Sequence, residues 1–237
     1  MIGIFDSGSG GLSVLAALHA RAPELDVVYF GDLAHVPYGS RAQADVRLLT
    51  IAGFKILRDA GADHLVSACN TVSTAVIRPY MRGDGIIEMV GAAVSAVQKF
   101  STPHVAVAAT PATIESGMYQ KEFQRANIRA TMIACPNLAA AIEYEDVAAT
   151  RTAVDAAVAA MHAAGADVLL LACTHYARVR EMFACSTIDP ADAVAQQIIA
   201  SWGSVGNGTK KFIASKDSPI FATRVQKLFG PREIILK

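Results

Sequence analysis

Short runs of consecutive apolar residues recur along the chain, separated by longer segments in which apolar positions return every three or four residues. Unbroken apolar runs are the pattern of strands covered on both faces, and the longer period is that of helices with one buried stripe. Strands are predicted at Ile2–Asp6, Val27–Asp32, His64–Cys69, Ile87–Gly91, His104–Ala109, Arg129–Cys135, Val168–Cys173 and Lys211–Ser215. Helices are predicted at Gly11–Arg21, Gln43–Asp59, Pro111–Arg125, Val147–Ala164 and Ala191–Ser201. Pro23, Pro79, Pro103 and Pro190 fall at boundaries, where a residue without an N–H does least harm. Strict alternation of the two element types predicts an α/β fold with mostly parallel sheet.

The pattern also repeats. Ala60–Cys69 (AGADHLVSAC) aligns without gaps on Ala164–Cys173 (AGADVLLLAC), with seven of ten positions identical. At the same offset, Ile2–Asp6 falls on Ala106–Thr110 and Val27–Asp32 on Thr131–Pro136. Self-similarity in register over three elements points to two duplicated α/β halves. The expected architecture is two pseudo-symmetric, doubly wound parallel-sheet halves facing each other across a cleft. The first would comprise residues 1–95 plus 206–237 and carry Cys69; the second would comprise residues 96–205 and carry Cys173. Gly203–Gly208 (GSVGNG) reads as a hinge or crossover, and Trp202 beside it as packing between the halves.

Ligands of open parallel sheets bind beyond the carboxyl ends of the strands. Five polar clusters stand at or near such ends: Asp6-Ser7-Gly8, Pro37-Tyr38-Gly39, Cys69-Asn70-Thr71, Thr110-Pro111-Ala112-Thr113 and Cys173-Thr174-His175. If the halves face each other, the duplication sets Cys69 and Cys173 on opposite walls. Inverting an α-carbon needs a base on one face and an acid on the other, and a thiol serves as either because its ordinary pKa of about 8.5 lies near neutrality. Asp6 is a candidate proton partner for Cys69 and His175 for Cys173. Asn70, Thr71, Thr174 and the backbone amides of these turns suit a carboxylate.

Composition narrows the alternatives. Lys plus Arg and Asp plus Glu are 21 each in 237 residues, so net charge gives no reason to expect nucleic acid or an anionic membrane as partner. The apolar runs are strand-sized rather than membrane-spanning, and Met1–Phe5 has no basic leader; a cytoplasmic protein with four thiols is the expectation. Asp6–Gly11 (DSGSGG) lacks the spacing of a dinucleotide loop, since a third glycine would be needed at Ser13. No metal-ligand cluster and no lysine in a Schiff-base setting is recognisable. His19, His35, His64, His104 and His162 are scattered, and Cys135 and Cys185 lack a comparable setting, with burial expected for Cys135.

Taken together, these motifs carry a resemblance. Ile4-Phe5-Asp6-Ser7-Gly8 with Gly10-Gly11, Gly31-Asp32 leading to Pro37-Tyr38-Gly39, and Ala68-Cys69-Asn70-Thr71 lie in the first half. Ala109-Thr110 through Ser116-Gly117-Met118-Tyr119, Cys135-Pro136 through Glu143, and Cys173-Thr174-His175-Tyr176 lie in the second. The chain resembles the glutamate racemases of the aspartate/glutamate racemase superfamily, nearly end to end. The resemblance implies that Cys69 and Cys173 are the catalytic pair, Cys69 acting on D-glutamate and Cys173 on L-glutamate. It implies a substrate pocket of Asp6, Ser7, Tyr38, Gly39, Asn70, Thr71, Thr174 and His175, to which the Thr110–Thr113 cluster is added. Glu143 matches a carboxylate that works beside His175. Glutamate is the implied substrate, with neither pyridoxal phosphate nor metal as cofactor, and supply of D-glutamate for peptidoglycan is the implied role. A homodimer is one expectation for assembly. Leu33, His35, Val72 and Ala177 depart from the usual residues, and Val72 and His35 are expected to reshape the pocket or its entrance. An aspartate racemase or a decarboxylase of the same superfamily, and a non-catalytic two-lobed binding protein, are the alternatives.

Overall fold

The computed structural model describes residues 1–77, 81, 85–100, 102 and 104–237; Pro79 and Pro103 lie outside them. The chain opens with β1 (Ile2–Asp6), α1 (Leu12–Arg21) and β2 (Val27–Gly31), both strands buried at every position. A 3₁₀ turn (Tyr38–Ser40) leads to α2 (Gln43–Asp59), whose buried stripe is Val46, Thr50, Gly53, Phe54 and Leu57. Next come β3 (His64–Ser67), a single turn α3 (Asn70–Val72) that widens into a π turn (Ser73–Ile77), β4 (Ile87–Glu88) and α4 (Met89–Phe100).

The second half runs β5 (His104–Ala109), α5 (Pro111–Glu115), α6 (Met118–Arg125), β6 (Arg129–Ala134), α7 (Leu138–Glu143), α8 (Val147–Ala163), β7 (Val168–Ala172), a 3₁₀ segment (Tyr176–Met182) and β8 (Thr187–Ile188). The chain closes with α9 (Ala191–Trp202), β9 (Lys210–Ala214), α10 (Pro219–Phe229) and β10 (Ile234–Leu236).

All strand pairs are parallel, in a six-stranded sheet ordered β10-β9-β2-β1-β3-β4 and a four-stranded sheet ordered β6-β5-β7-β8. The order β2-β1-β3-β4 reappears as β6-β5-β7-β8, so the repeat read in sequence is a repeat of topology. The register of the first pair is kept, since Ile2 pairs with Val27 and its counterpart Ala106 with Thr131; that of the second shifts by one, since Ile2 pairs with His64 and Ala106 with Leu169. The two sheets with helices on both faces are the two parallel α/β halves expected from the pattern.

Several boundaries differ for local reasons. The strand expected to reach Gly91 stops at Glu88, whose carboxylate accepts the N–H groups of Val90 and Gly91 and so caps α4. The helix expected over Pro111–Arg125 breaks at Gly117, which takes the left-handed conformation at φ +67°. Thr110 caps α5 by accepting the Thr113 N–H, with Pro111 in its first turn. Ala191, Val194, Ala195 and Ile198 of α9 share the core of α1 and the six-stranded sheet. Helix α4 packs both ways, with Met89 and Ala92 in that core and Val90, Ala93 and Val97 against β5 and β7. Gly203–Gly208 is a tied loop rather than a hinge, because the Asp26 carboxylate accepts the N–H groups of Asn207 and Thr209. Trp202 stacks on His64 within the first half, ring centroids 4.5 Å apart. Among the described residues no helix is long and apolar enough to cross a membrane.

Candidate active site

The carboxyl ends of β1 and β3 face those of β5 and β7, and the turns that leave them build one site. The loop after β1 is held tightly: Gly8 N–H donates to Asp6 Oδ2 at 3.0 Å, and Tyr29 of β2 donates to the Gly8 carbonyl at 2.9 Å. A Cβ on Gly10 would stand 2.6 Å from both His175 Nδ1 and Thr174 Oγ1, so only glycine lets this loop approach the opposite half. One small cavity, with about 10 Å³ of free room, is lined by Ser7, Tyr38, Gly39, Cys69, Asn70 and Thr71 from the first half. Thr110, Cys173, Thr174 and His175 line it from the second. Pro37 and Ala139 complete the wall; Ala139, on α7, carried no polar signal by which sequence could have marked it. Asp6, Thr113 and Glu143 stand behind this lining, in contact with residues that form it.

The two thiols sit in unlike surroundings. Cys69 precedes α3 and its Sγ donates to Ser7 Oγ at 3.4 Å. Burial and the nearby Asp6 carboxylate push this thiol up to about 12. Asp6 is fully buried; its carboxylate accepts from the Gly8 N–H and, across the cleft, from the Thr174 hydroxyl at 3.3 Å, and toward Cys69 it acts through its charge. Burial raises the Asp6 carboxyl against the opposing pull of His175 and of the Gly11 and Gly8 amides.

Cys173 Sγ lies 3.9 Å from His175 Nδ1, and His175 Nε2 lies 2.8 Å from Glu143 Oε2. Burial works to discharge His175, but Cys173 and Glu143 outweigh it and raise the imidazole to about 10, so it is a cation at neutral pH. Burial would likewise raise Glu143; the bonds from His175 and Ser9 and the Arg224 charge outweigh it and hold the carboxyl at about 2. Ser9 and Arg224, both from the first half, converge on the same oxygen at 2.6 and 3.1 Å. Neither was picked out in sequence, since each is one polar residue on an otherwise ordinary turn or helix.

Hydroxyls and amides close the rest. Thr71 Oγ1 meets Thr110 Oγ1 at 3.2 Å and Thr113 Oγ1 at 3.4 Å across the cleft. Tyr119 of α6 donates to Asn70 Oδ1, and the buried Asn70 Nδ2 has no partner among the described residues, which leaves it a donor for a bound carboxylate. Tyr38 donates to Asp32 at 2.6 Å, and Asp32 also takes bonds from Ser215 and His35. His35 therefore stands behind Tyr38. Val72 is absent from the cavity lining but fully buried in the core that also holds Phe5, Tyr38 and Cys69, and its backbone N–H bonds the Cys69 thiol, so it supports that wall from behind. Among the described residues no group of three His, Cys, Asp or Glu is arranged to hold a metal ion. Cys135 is buried and its Sγ faces the Ile133 carbonyl.

Residues 11–198 match the sequence family described as Asp/Glu/Hydantoin racemase. The chain is 36% identical over 209 residues to a glutamate racemase of Lactobacillus acidophilus, covering 82% of this chain and 78% of that one. To the glutamate racemase of Synechococcus sp. (strain CC9605) it is 35% identical, covering 98% and 95%. Among solved structures, glutamate racemase from Francisella tularensis in complex with D-glutamate matches with a TM-score of 0.87 at 25% identity, over 100% of this chain and 96% of that one. The glutamate racemase from Aquifex pyrophilus matches with a TM-score of 0.82 at 28% identity, over 99% and 96%. Together with the duplicated parallel sheets, these matches settle the lineage: the chain belongs to the Asp/Glu/hydantoin racemase family.

Proposed function

We propose that this chain, an amino-acid racemase by family and so an isomerase, interconverts L- and D-glutamate by moving protons between the substrate α-carbon and two cysteines. The observation that carries the reading is that Cys69 and Cys173 end equivalent strands of the two halves and line the same cavity. Their surroundings suit opposite tasks. At Cys69 the neutral thiol is favoured, a proton donor in waiting. At Cys173 the His175 cation stands beside the sulfur, where it would stabilise the negative charge of a thiolate. Sulfurs on the two walls could take the α-proton from one face and return another to the opposite face.

In this reading Cys173 deprotonates L-glutamate and Cys69 protonates the planar intermediate, with the thiols exchanging roles for the reverse direction. Asn70 Nδ2, the threonine hydroxyls and Ser7 bind the carboxylates. Asp6, fully buried beside both Cys69 and Thr174, would receive the ammonium group or shuttle the Cys69 proton. Parting of the halves would admit glutamate, and their closing would exclude water. The substrate assignment rests on the glutamate racemases named above. In a bacterial cytoplasm, where thiols stay reduced, the product would serve peptidoglycan synthesis.

The purified chain should racemise glutamate with no cofactor added and in the presence of EDTA, and alkylation of its thiols should abolish activity, with protection by glutamate. Aspartate should turn over far less well, because a shorter span between carboxylates misplaces the α-carbon. Equal kcat/KM for the two amino acids would reassign the substrate; activity that needs added pyridoxal phosphate would overturn the mechanism.

A further inference from the structure

Arg224 projects from α10, whose Phe221, Val225 and Phe229 are embedded in the core of the six-stranded sheet. Its guanidinium is 5% exposed and reaches across to the end of α7 in the other half. There Nη1 meets Glu143 Oε2 at 3.1 Å, and Nη2 donates to the Ile142 carbonyl at 2.8 Å, the Glu143 carbonyl at 3.2 Å and Glu145 Oε1 at 3.3 Å. Nη1 also bonds Ser9 Oγ, the hydroxyl that donates to that same Glu143 oxygen. One planar cation thus grips a carboxylate and the two carbonyls behind it, a geometry that the point charge of a lysine cannot copy.

We propose that Arg224 is a positioning residue for the Cys173 wall, holding Glu143 against His175 only while the two halves are closed. The proposal rests on the two-cysteine reading given above. Its reasoning is mechanical as well as electrostatic. Arg224 and Ser9 are mounted on the first half, and Glu143, His175 and Cys173 on the second. When the halves part, Glu143 loses two of the three donors on Oε2, and His175 loses the anchored partner that orients its ring toward Cys173. The Cys69 wall has its own neighbours, Ser7 and Asp6, and none of the Arg224 bonds described here goes to them. Closure would therefore assemble the Glu143–His175–Cys173 line through Arg224, whereas on the Cys69 side it adds the Thr174 bond to Asp6, in which Arg224 has no part.

Racemisation itself cannot expose such one-sidedness, because its forward and reverse rates are tied by the equilibrium. Elimination can. A glutamate analogue with a chloride on the β-carbon loses its α-proton to a thiolate; the C–H electron pair forms the α,β double bond as chloride leaves, and water hydrolyses the resulting enamine to a 2-oxo acid and ammonium. Each enantiomer needs only one wall. Cys173→Ser and Cys69→Ser, assayed first, identify which enantiomer depends on which wall.

In Arg224→Met, elimination of the enantiomer that depends on Cys173 should fall about tenfold or more, and that of the other should change by less than about threefold. Arg224→Lys should recover part of the loss. Equal changes for both enantiomers, or none, overturn the proposal, and if the Met variant does not fold, the same comparison in the Lys variant decides. Should the cysteine variants fail to separate the enantiomers, the two-cysteine reading falls and this inference falls with it. Should they separate them while the Arg224 variants do not, only the role of Arg224 is lost.

Discussion

Gly10→Ala tests how closely the two halves must approach. The added Cβ would lie 2.6 Å from His175 Nδ1 and Thr174 Oγ1 and 2.8 Å from the His175 backbone nitrogen. Ordinary van der Waals contact begins near 3.4 Å, so the opposing atoms must retreat by about 0.8 Å. All of them belong to the second half, and Gly10 to the first. The cheapest relief is to hold the halves slightly apart, which moves His175 and Cys173 away from the Cys69 wall. A misplacement of about 1 Å costs on the order of 100-fold in rate, or about 2.7 kcal/mol of barrier. The fold should suffer less, about 1 kcal/mol, because neither core is overpacked. Gly11→Ala is the contrast: its Cβ would meet Asp6 Cβ at 2.8 Å and Ala68 Cβ at 2.9 Å inside one half, where no parting relieves the clash. Chiral analysis of glutamate turnover, with thermal denaturation of the same preparations, separates the two effects. A Gly10→Ala enzyme with kcat within about threefold of wild type would show that turnover does not need so close an approach of the halves.

Tyr119→Phe removes the hydroxyl that fixes Asn70 Oδ1, so the amide should lose its aim at the substrate. KM should rise about tenfold with kcat changed less, and a kcat loss at constant KM would contradict this role. His175 is raised from an ordinary 6.5 to about 10, so its contribution to stability is complete below pH 6.5 and is lost as pH climbs through 10; Cys69, raised to about 12, adds a loss above its ordinary 9.0. Tm should accordingly fall on the alkaline side, and a Tm that rises from pH 6.5 to 10 in differential scanning would show the pair is not formed. Cys185 is half-buried, whereas Cys69 is buried, so iodoacetamide at neutral pH should label Cys185 about tenfold faster by peptide mass analysis. Faster labelling of Cys69 would mean that its thiol is ionised and open.

Much of the fold was legible because fully buried strands are written as unbroken apolar runs. Ile2–Asp6 and His104–Ala109 coincide with their expected limits, and α2 does so at both ends. The site was legible for a related reason: parallel sheets put their chemistry where those runs stop, and both cysteines stand at such stops. Short edge strands were not. Thr187–Ile188 and Ile234–Leu236 are paired on one side only, and Ile235 and Leu236 are exposed, so no sustained pattern marks them. Helix α4 was missed because its opening residues, Met89-Val90-Gly91, continue the apolar run of the preceding strand, and the Glu88 cap is a carboxylate that sequence alone does not aim. Residues whose importance lies in contact with the other half were harder still. Ser9 falls in a serine-glycine turn, and Arg224 is one arginine on an amphipathic helix; their shared target, Glu143, is distant from both in sequence. His104 is the instructive opposite, a buried histidine whose nitrogens face Gly165 O and Thr131 Oγ1 at 3.0 and 2.9 Å, satisfied within its own half.

Whether two thiols act from opposite faces is decided by isotope partition in a single direction. Protiated L-glutamate is incubated with the enzyme in D₂O, and the reaction is stopped while little substrate has been converted. If Cys173 removes the α-proton and Cys69 delivers one already exchanged with solvent, the D-glutamate formed carries deuterium while recovered L-glutamate stays protiated. Deuterium entering recovered L-glutamate as fast as the D product, or protium carried over into D-glutamate, would mean that one base serves both faces and would contradict the account.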